Sequence, residues 1–363
     1  MEISEIKSNG QLKQFFELPR TIYKDKYPNY VTPLNLHLKM MIGDIKSQRK
    51  HLFMVKKGDE LIARCGFKVH KHDGKETLNF GFFECKEGHL DAAQALINKG
   101  HSLYPHLTMR GPFQFRMEDP YIGVLVEGYE QEPYFLMSYN PPYYKEYLEK
   151  CGMIKTMDLY TYELSTHVPV DPLITKNAQT ARDNGYKVRF PDKKKLRAEA
   201  TSIAKIFNDA LSDNWGFEEF VKEQVDEMVL MFKYFLDLRV IAIVHKDGKD
   251  IGCLIMIPNF NGMIKPSEGK FSLATLWRYL NRQKFTEGKL RGYALGVLKE
   301  HHGQGIGSLL VDEMYKIGAE IGYNYAEISW VLANNGPMNE LSKAMNGKQS
   351  KVYRIFDKIP LQP

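Results

Sequence analysis

Between Leu295 and Leu310 the sequence LGVLKEHHGQGIGSLL sets a partly alternating strand, a three-glycine turn and an amphipathic helix end to end. Few folds accept that order. Arg291 to Val297 carries the strand, and Ile306, Leu309, Leu310, Met314, Ile317 and Ile321 recur at helical spacing behind it. A glycine-rich turn that opens a helix leaves several backbone N–H groups unpaired at the positive end of the helix dipole. Without a Cβ, Gly303, Gly305 and Gly307 let an anion's oxygens approach that backbone. On physics alone the turn has room for an anion, and a purely structural glycine turn without ligand is the alternative. A Walker loop is excluded, because no Gly-x4-Gly-Lys-Ser/Thr spacing occurs in the chain. A dinucleotide fingerprint needs Gly-x-Gly-x-x-Gly within a βαβ unit, and the run from Gly303 is Gly-x-Gly-x-Gly.

The flanks extend the pattern. Tyr325 to Leu332 reads as the next strand, Asn335-Gly336-Pro337-Met338 opens a short helix ending near Asn346-Gly347, and Lys351 to Phe356 is a final strand. Upstream, Leu196, Ile203, Ile206, Phe207 and Leu211 mark an amphipathic helix, and Arg239–Val244 and Ile251–Ile257 flank a hairpin turn at Asp247-Gly248-Lys249. The first half has a similar order: a helical region, a hairpin around Lys56-Lys57-Gly58-Asp59, a strand at Leu78–Phe83, a helix at about Leu90–Leu103 and a strand at Tyr134–Tyr139. Asn140, Pro142 and Gly152 share one offset, 195 residues, with Asn335, Pro337 and Gly347. An internal repeat explains that offset economically. Where the first copy should carry its loop it has Glu84-Cys85-Lys86-Glu87-Gly88-His89, and two carboxylates make a poor phosphate cradle.

With its preceding strand, His302-Gly303-Gln304-Gly305-Ile306-Gly307 resembles the acyl-CoA loop of the GNAT superfamily of N-acetyltransferases, Arg/Gln-x-x-Gly-x-Gly/Ala, with His302 where Arg or Gln is usual. The element order over about 190–358 resembles that fold, and the Ser-Trp-Val-Leu-x-x-Asn-x-Pro-Met run of Ser329–Met338 is similar to tandem bacterial members. The resemblance implies an α/β (α+β) fold of two tandem GNAT-like acyl-CoA N-acyltransferase units. Each would have a mixed, splayed central sheet, and the N-terminal copy would be degenerate. The expected division is 1–168 for the degenerate copy, 169–189 as a linker rich in Pro, Asp and Asn, and 190–363 for the acyl-CoA-binding domain.

The resemblance also implies a co-substrate, acetyl-CoA or another acyl-CoA. It would be held by Leu295, Gly296 and Val297 on the strand, by His302, Gly303, Gln304, Gly305, Ile306, Gly307 and Ser308 in the loop, and by Asn335, which would bond a pantetheine amide. Charge building on a thioester oxygen needs a positioned donor; by resemblance this is the N–H of Leu295 or Val297. The family often uses a tyrosine seven residues after the asparagine as acid, and that position here is Ser342. Tyr353 and Glu327 remain as catalytic candidates beside Val297. Trp215 and Phe217, after the first helix of the second copy, and Trp277, within the insertion Pro258–Leu290, are the acceptor-binding candidates. Leu273, Leu276, Trp277 and Leu280 fall on one helical face there, either a wall or lid for the acceptor cleft or a surface elaboration that meets the N-terminal domain.

The expected reaction is acyl transfer, acetyl foremost, to a primary amine of a small molecule, amino acid or peptide. Ser342 keeps a second reading open, a non-catalytic acyl-CoA-binding regulatory protein, and the tandem architecture also permits a longer acyl chain. With 363 residues, 43% hydrophobic and 12% aromatic, the chain can pack two cores. Four cysteines without a CxxC pair read as reduced thiols of a cytoplasmic protein. No leader and no apolar run near the ~20 residues of a membrane span is visible, and a net charge of +6 is too weak to argue for nucleic acid. Neither nucleic acid nor a membrane is an expected partner. No metal is expected either, since His301 and His302 lack a third ligand.

Overall fold

Ser8 and Gln11 start the first helix reciprocally: the Gln11 N–H reaches Ser8 Oγ at 3.3 Å, and the Ser8 N–H reaches Gln11 Oε1 at 3.1 Å. That helix, α1 (Asn9–Tyr23), follows strand β1 (Glu2–Glu5) and precedes α2 (Asn35–Ile42). An antiparallel meander comes next, β2 (Lys50–Lys57), β3 (Glu60–His72) and β4 (Lys75–Cys85), then α3 (Leu90–Leu103), β5 (Met109–Gly111), β6 (Val124–Glu127), α4 (Tyr144–Lys150) and β7 (Ile154–Ser165). The chain continues through α5 (Pro172–Asp183), β8 (Lys187–Arg189), α6 (Leu196–Ala210), α7 (Lys222–Tyr234), β9 (Ile241–Lys246) and β10 (Lys249–Pro258). Asp247 and Gly248, both at positive φ, make the β9–β10 turn as the sequence predicts. Last come α8 (Asn261–Ile264), α9 (Leu273–Leu280), β11 (Lys289–Val297), α10 (Ile306–Glu320), β12 (Tyr325–Leu332), α11 (Gly336–Ala344) and β13 (Lys348–Lys358). This computed structural model describes residues 1–45, 49–72, 75–117 and 119–360.

Two compact units result. The first is Met1–Leu159 with Asn261–Phe285 and Lys351–Pro363; the second is Tyr160–Phe260 with Thr286–Ser350. Strand order in the first is β1-β2-β3-β4-β5-β13-β7, with β6 on β13; in the second it is β7-β12-β11-β10-β9-β8. Both sheets are mixed, as expected of the tandem fold. The units are not simply the two sequence halves, because β13 completes the first sheet and the insertion holding α8 and α9 belongs to the first unit.

Two expectations are corrected. The stretch 169–189 is not a linker. Asp171 accepts the Leu173 N–H at 2.8 Å to cap α5, Pro172 fits its first turn, and Ile174, Ala178 and Ala181 are buried at helical spacing. Nor is Tyr134–Tyr139 a strand: Leu136 has φ +67°, and the Met137 N–H turns back to the Tyr134 carbonyl at 3.0 Å. Strand β6 takes that place in the sheet, Leu125 lying opposite Tyr353.

Candidate functional site

In the second unit β11 pairs in parallel with β12 only from Lys289↔Tyr325 to Gly292↔Ile328. Beyond Gly292 the two strands part. On its other side β11 stays paired with β10 as far as Val297, after a bulge that leaves Tyr293 unmatched. The Leu298 N–H donates to Ile251 O at 2.9 Å. In the alternation of an antiparallel ladder, that bond turns the N–H and C=O groups of Leu295 and Val297 away from β10, toward the opened edge. These are the two amides the sequence nominates as oxyanion donors. Leu295 packs its side chain against a cluster that includes Val311, Ile328, Met338 and Leu341, so an apolar floor lies along the edge.

The strand leads through a 3-10 turn at Lys299–His301 into the glycine loop. Gly303 and Gly305 take φ +77° and +76°, a region open to glycine without strain. Gly305 is the N-cap residue of α10 and supplies no side-chain cap. Among the described residues, no acceptor lies on the amides of Gly303, Gln304, Gly305, Ile306, Gly307 or Ser308; the first amide returned to the helix is Leu309, to Gly305 O at 2.9 Å. Six free N–H groups at the start of a fifteen-residue helix make a cradle that fits a pyrophosphate. The back of the loop is fixed. A Cβ on Gly305 would fall 2.4 Å from the Asn177 carbonyl of α5, while Gly303 has no described atom within 4 Å of its Cβ position. Arg182 Nη2 to Asp312 Oδ2 at 2.6 Å pins α5 to α10.

Other nominated residues divide. His302 is exposed and donates from Nε2 to Val297 O at 3.0 Å, so its ring rests on the open strand edge. Asn335 caps α11, its side chain accepting the Met338 N–H at 3.1 Å. Ser342 is fully buried and gives its proton to Met338 O at 2.8 Å, which leaves it no part as an acid. Glu327 is fully buried on β12, opposite Arg291, the last pair but one before the strands part. Trp215 and Phe217 lie half-buried in the loop after α6. That loop is drawn to the glycine turn by Lys299, whose Nζ meets Ser212 Oγ at 2.6 Å and Asp213 at 2.7 Å. Tyr353 and Trp277 belong to the first unit: Tyr353 is fully buried opposite Leu125, and Trp277 is exposed on α9.

Two partners were missed by the sequence reading. Arg291, buried, donates from Nε to Ser329 Oγ at 3.0 Å, forming with Glu327 a polar cluster where β11 leaves β12. Asn339, four residues past Asn335, is also buried; it donates to Leu332 O at 3.0 Å and accepts the Tyr162 hydroxyl at 2.8 Å. A buried Asn on the inner side of a capped helix is the signal that could have found it.

The first unit repeats the geometry without the site. Strand β4 pairs in parallel with β5 only at Leu78↔Met109 and Asn79↔Arg110. The turn before α3 is closed, however, because the Cys85 N–H is taken by the Tyr144 hydroxyl at 2.9 Å and the Gly88 N–H by that of Tyr147 at 2.8 Å.

The pattern of the acetyltransferase (GNAT) family matches residues 202–345. The chain is 25% identical to a bacterial ceramide synthase of Caulobacter vibrioides, over 99% of this chain and 97% of that one. It is 24% identical to protein YghO of Escherichia coli, over 97% and 93%. Among solved structures it is similar to a tandem GNAT protein from the clavulanic acid biosynthesis pathway (TM-score 0.54, 12% identity, 100% of this chain and 99% of that one). It is also similar to the glucosamine N-acetyltransferase region of a fungal multi-domain β-N-acetylglucosaminidase (TM-score 0.62, 10% identity), covering 98% of this chain and 38% of that one.

Proposed function

Because residues 202–345 match the acetyltransferase (GNAT) family, we propose that the chain transfers an acyl group from acyl-CoA to a primary amine by direct attack on the thioester. The observation that carries this reading is the continuity of two features: six unpartnered amides at Gly303–Ser308, reached directly from the unpaired edge of Leu295 and Val297. The amides hold the pyrophosphate, and the strand edge takes the pantetheine arm as an added strand. The Val297 N–H, fixed by the β10 ladder, donates to the oxygen on which charge builds. His302 yields the Val297 carbonyl when the arm arrives. Glu327 is the base of this proposal, a carboxylate enclosed beside Arg291 that takes the proton the amine sheds. The thiolate leaves without a dedicated acid, at modest cost for a group with a pKa near ~8.5.

For the acyl chain and acceptor, similarity to a bacterial ceramide synthase along nearly the whole chain favours a fatty acyl group and a long-chain amino alcohol over acetyl transfer to a small amine. A thiol-release assay tests both levels. It pairs acetyl- and longer acyl-CoAs with small amines, amino acids and long-chain amino alcohols, alongside calorimetric CoA binding. Turnover greatest with a long chain on both substrates is expected. Greatest turnover with acetyl-CoA and a small amine would move the assignment, and tight CoA binding without turnover anywhere would favour the regulatory reading.

A further inference from the structure

Helix α9 is inside out. Its side chains Leu273, Leu276, Trp277 and Leu280 share an arc of roughly 100° at helical spacing, the stripe that a surface helix ordinarily buries. Here they are 86%, 39%, 56% and 68% exposed, and the inward position is taken by Thr275, 1% exposed, whose hydroxyl bonds Lys270 O at 3.2 Å. Phe271, just ahead of the helix, is exposed as well. The same unit adds to the patch. The Asn35 N–H at the start of α2 donates to Gly269 O at 2.8 Å, two residues before Phe271, and α2 exposes Leu36 and Met40 one turn apart. Between Glu268 and Glu287 the charges have one sign: residues 269–286 contain Lys270, Arg278, Arg282 and Lys284 and no Asp or Glu.

We infer that α9, with the start of α2, docks the protein on an anionic lipid surface. Leucine, phenylalanine and tryptophan on one face with lysine and arginine beside them is the composition that lies in the membrane–water interface. An acidic protein partner would be met by the cations but would leave the Trp277–Leu280 face unexplained. Resting on the lipid-amine reading above, the docking gives a purpose to the insertion, since a long-chain amine and a fatty acyl-CoA both partition to membranes. No membrane is legible in the sequence, because a span is long and continuous, whereas an eight-residue helix is read from its exposure. Among the described residues no helix is long and apolar enough to cross a bilayer.

The test floats the full chain with vesicles of phosphatidylcholine alone or with phosphatidylglycerol added. The parent should bind the anionic vesicles preferentially. The double variant Leu273→Ser/Trp277→Ser, altered only at exposed positions, should lose about tenfold or more in partitioning. Leu230→Ser, an exposed leucine of the second unit, should bind as the parent does. Absence of parental binding, or equal binding by the double variant, overturns the inference. So does a concentration-dependent dimer that the double variant abolishes without any vesicle binding, which would assign the face to a second copy. Turnover of a soluble amine without vesicles reads the catalytic proposal separately. Docking without turnover of long-chain amines sinks only the acceptor assignment, and turnover without docking sinks only this inference.

Discussion

Gly303 and Gly305 share a left-handed backbone, yet only one tolerates a side chain. A Cβ on Gly305 meets the Asn177 carbonyl at 2.4 Å, and one on Gly303 meets no described atom within 4 Å. Gly303→Asp therefore changes charge at the loop without breaking it, since aspartate enters the left-handed region for about 1 kcal/mol. Its carboxylate would stand beside the row of free amides that ends at Ser308. At roughly 6 Å, with an effective dielectric of ~20 to ~40 for this exposed loop, two unit charges repel by about 1.4 to 2.8 kcal/mol. CoA affinity measured by calorimetry should fall about ten- to a hundredfold, and the loss should shrink at high salt as the Debye length contracts. Gly303→Asn, of equal size and neutral, should hold affinity within about threefold. The reasoning fails if Gly303→Asp binds CoA as the parent does, or if Gly303→Asn loses as much.

Gly305→Ala should instead lower stability, by more than the ~1 kcal/mol of its backbone strain, because the Asn177 carbonyl must also move; an unchanged urea midpoint would mean that α5 yields freely. Glu327→Gln should cut turnover by about 10²–10⁴-fold with CoA affinity kept, and a loss of stability alone would make Glu327 structural. Tyr353→Phe should lower turnover by less than about tenfold, whereas a loss of about three decades with CoA affinity intact would identify it as the acid. Asp312 tests pH dependence. Burial works to raise its pKa, but Lys316 and Arg182 outweigh that and hold it below the ordinary value. Its contribution is thus fully present above the unfolded pKa near ~3.9 and is lost as pH falls through the lowered folded value. The melting-temperature gap between parent and Asp312→Asn should be flat from neutral pH to about 4 and close below it; a gap that closes already between pH 7 and 5 would contradict the pairing.

Local signals made most of the second unit legible. The glycine run, the Asp247-Gly248 turn and the apolar spacing of α6 and α10 each specify their own element, and they led to the mixed-sheet fold. What escaped was set by packing. Ser342 turns back onto Met338 O, and Glu327 is enclosed by strands distant in sequence, neither of which alternation can report. The segment 169–189 looked like a linker because proline, aspartate and asparagine serve turns and helix starts alike; only the burial of Ile174, Ala178 and Ala181 decides between them. The period of residues 273–280 specifies helix α9, but a period does not report which way its apolar face turns.

The two copies differ in how the helix-opening amides are satisfied, and on the proposed function this leaves acyl-CoA a place in the second copy alone. At the 195-residue offset, Tyr144 and Tyr147 of the first unit correspond to Asn339 and Ser342 of the second. In the first, both hydroxyls reach the turn before α3 and take the Cys85 and Gly88 amides. The Tyr144 hydroxyl also donates to the buried Glu84 at 2.7 Å, as does that of Tyr23 at 2.9 Å. Burial raises the Glu84 pKa, opposed by Arg64 and the two hydroxyls, and its carboxyl lies against the same Tyr144 hydroxyl that takes the Cys85 amide. In the second unit the corresponding side chains bond within α11 and to β7 and β12, and the loop amides stay free. A phosphate cradle is thus removed by supplying its donors with internal acceptors, with no change to the strand–turn–helix around it. On the proposed function, then, the glycines at 303–307 are not enough by themselves: Asn339→Tyr or Ser342→Tyr should weaken CoA binding, measured by calorimetry, even with every glycine in place.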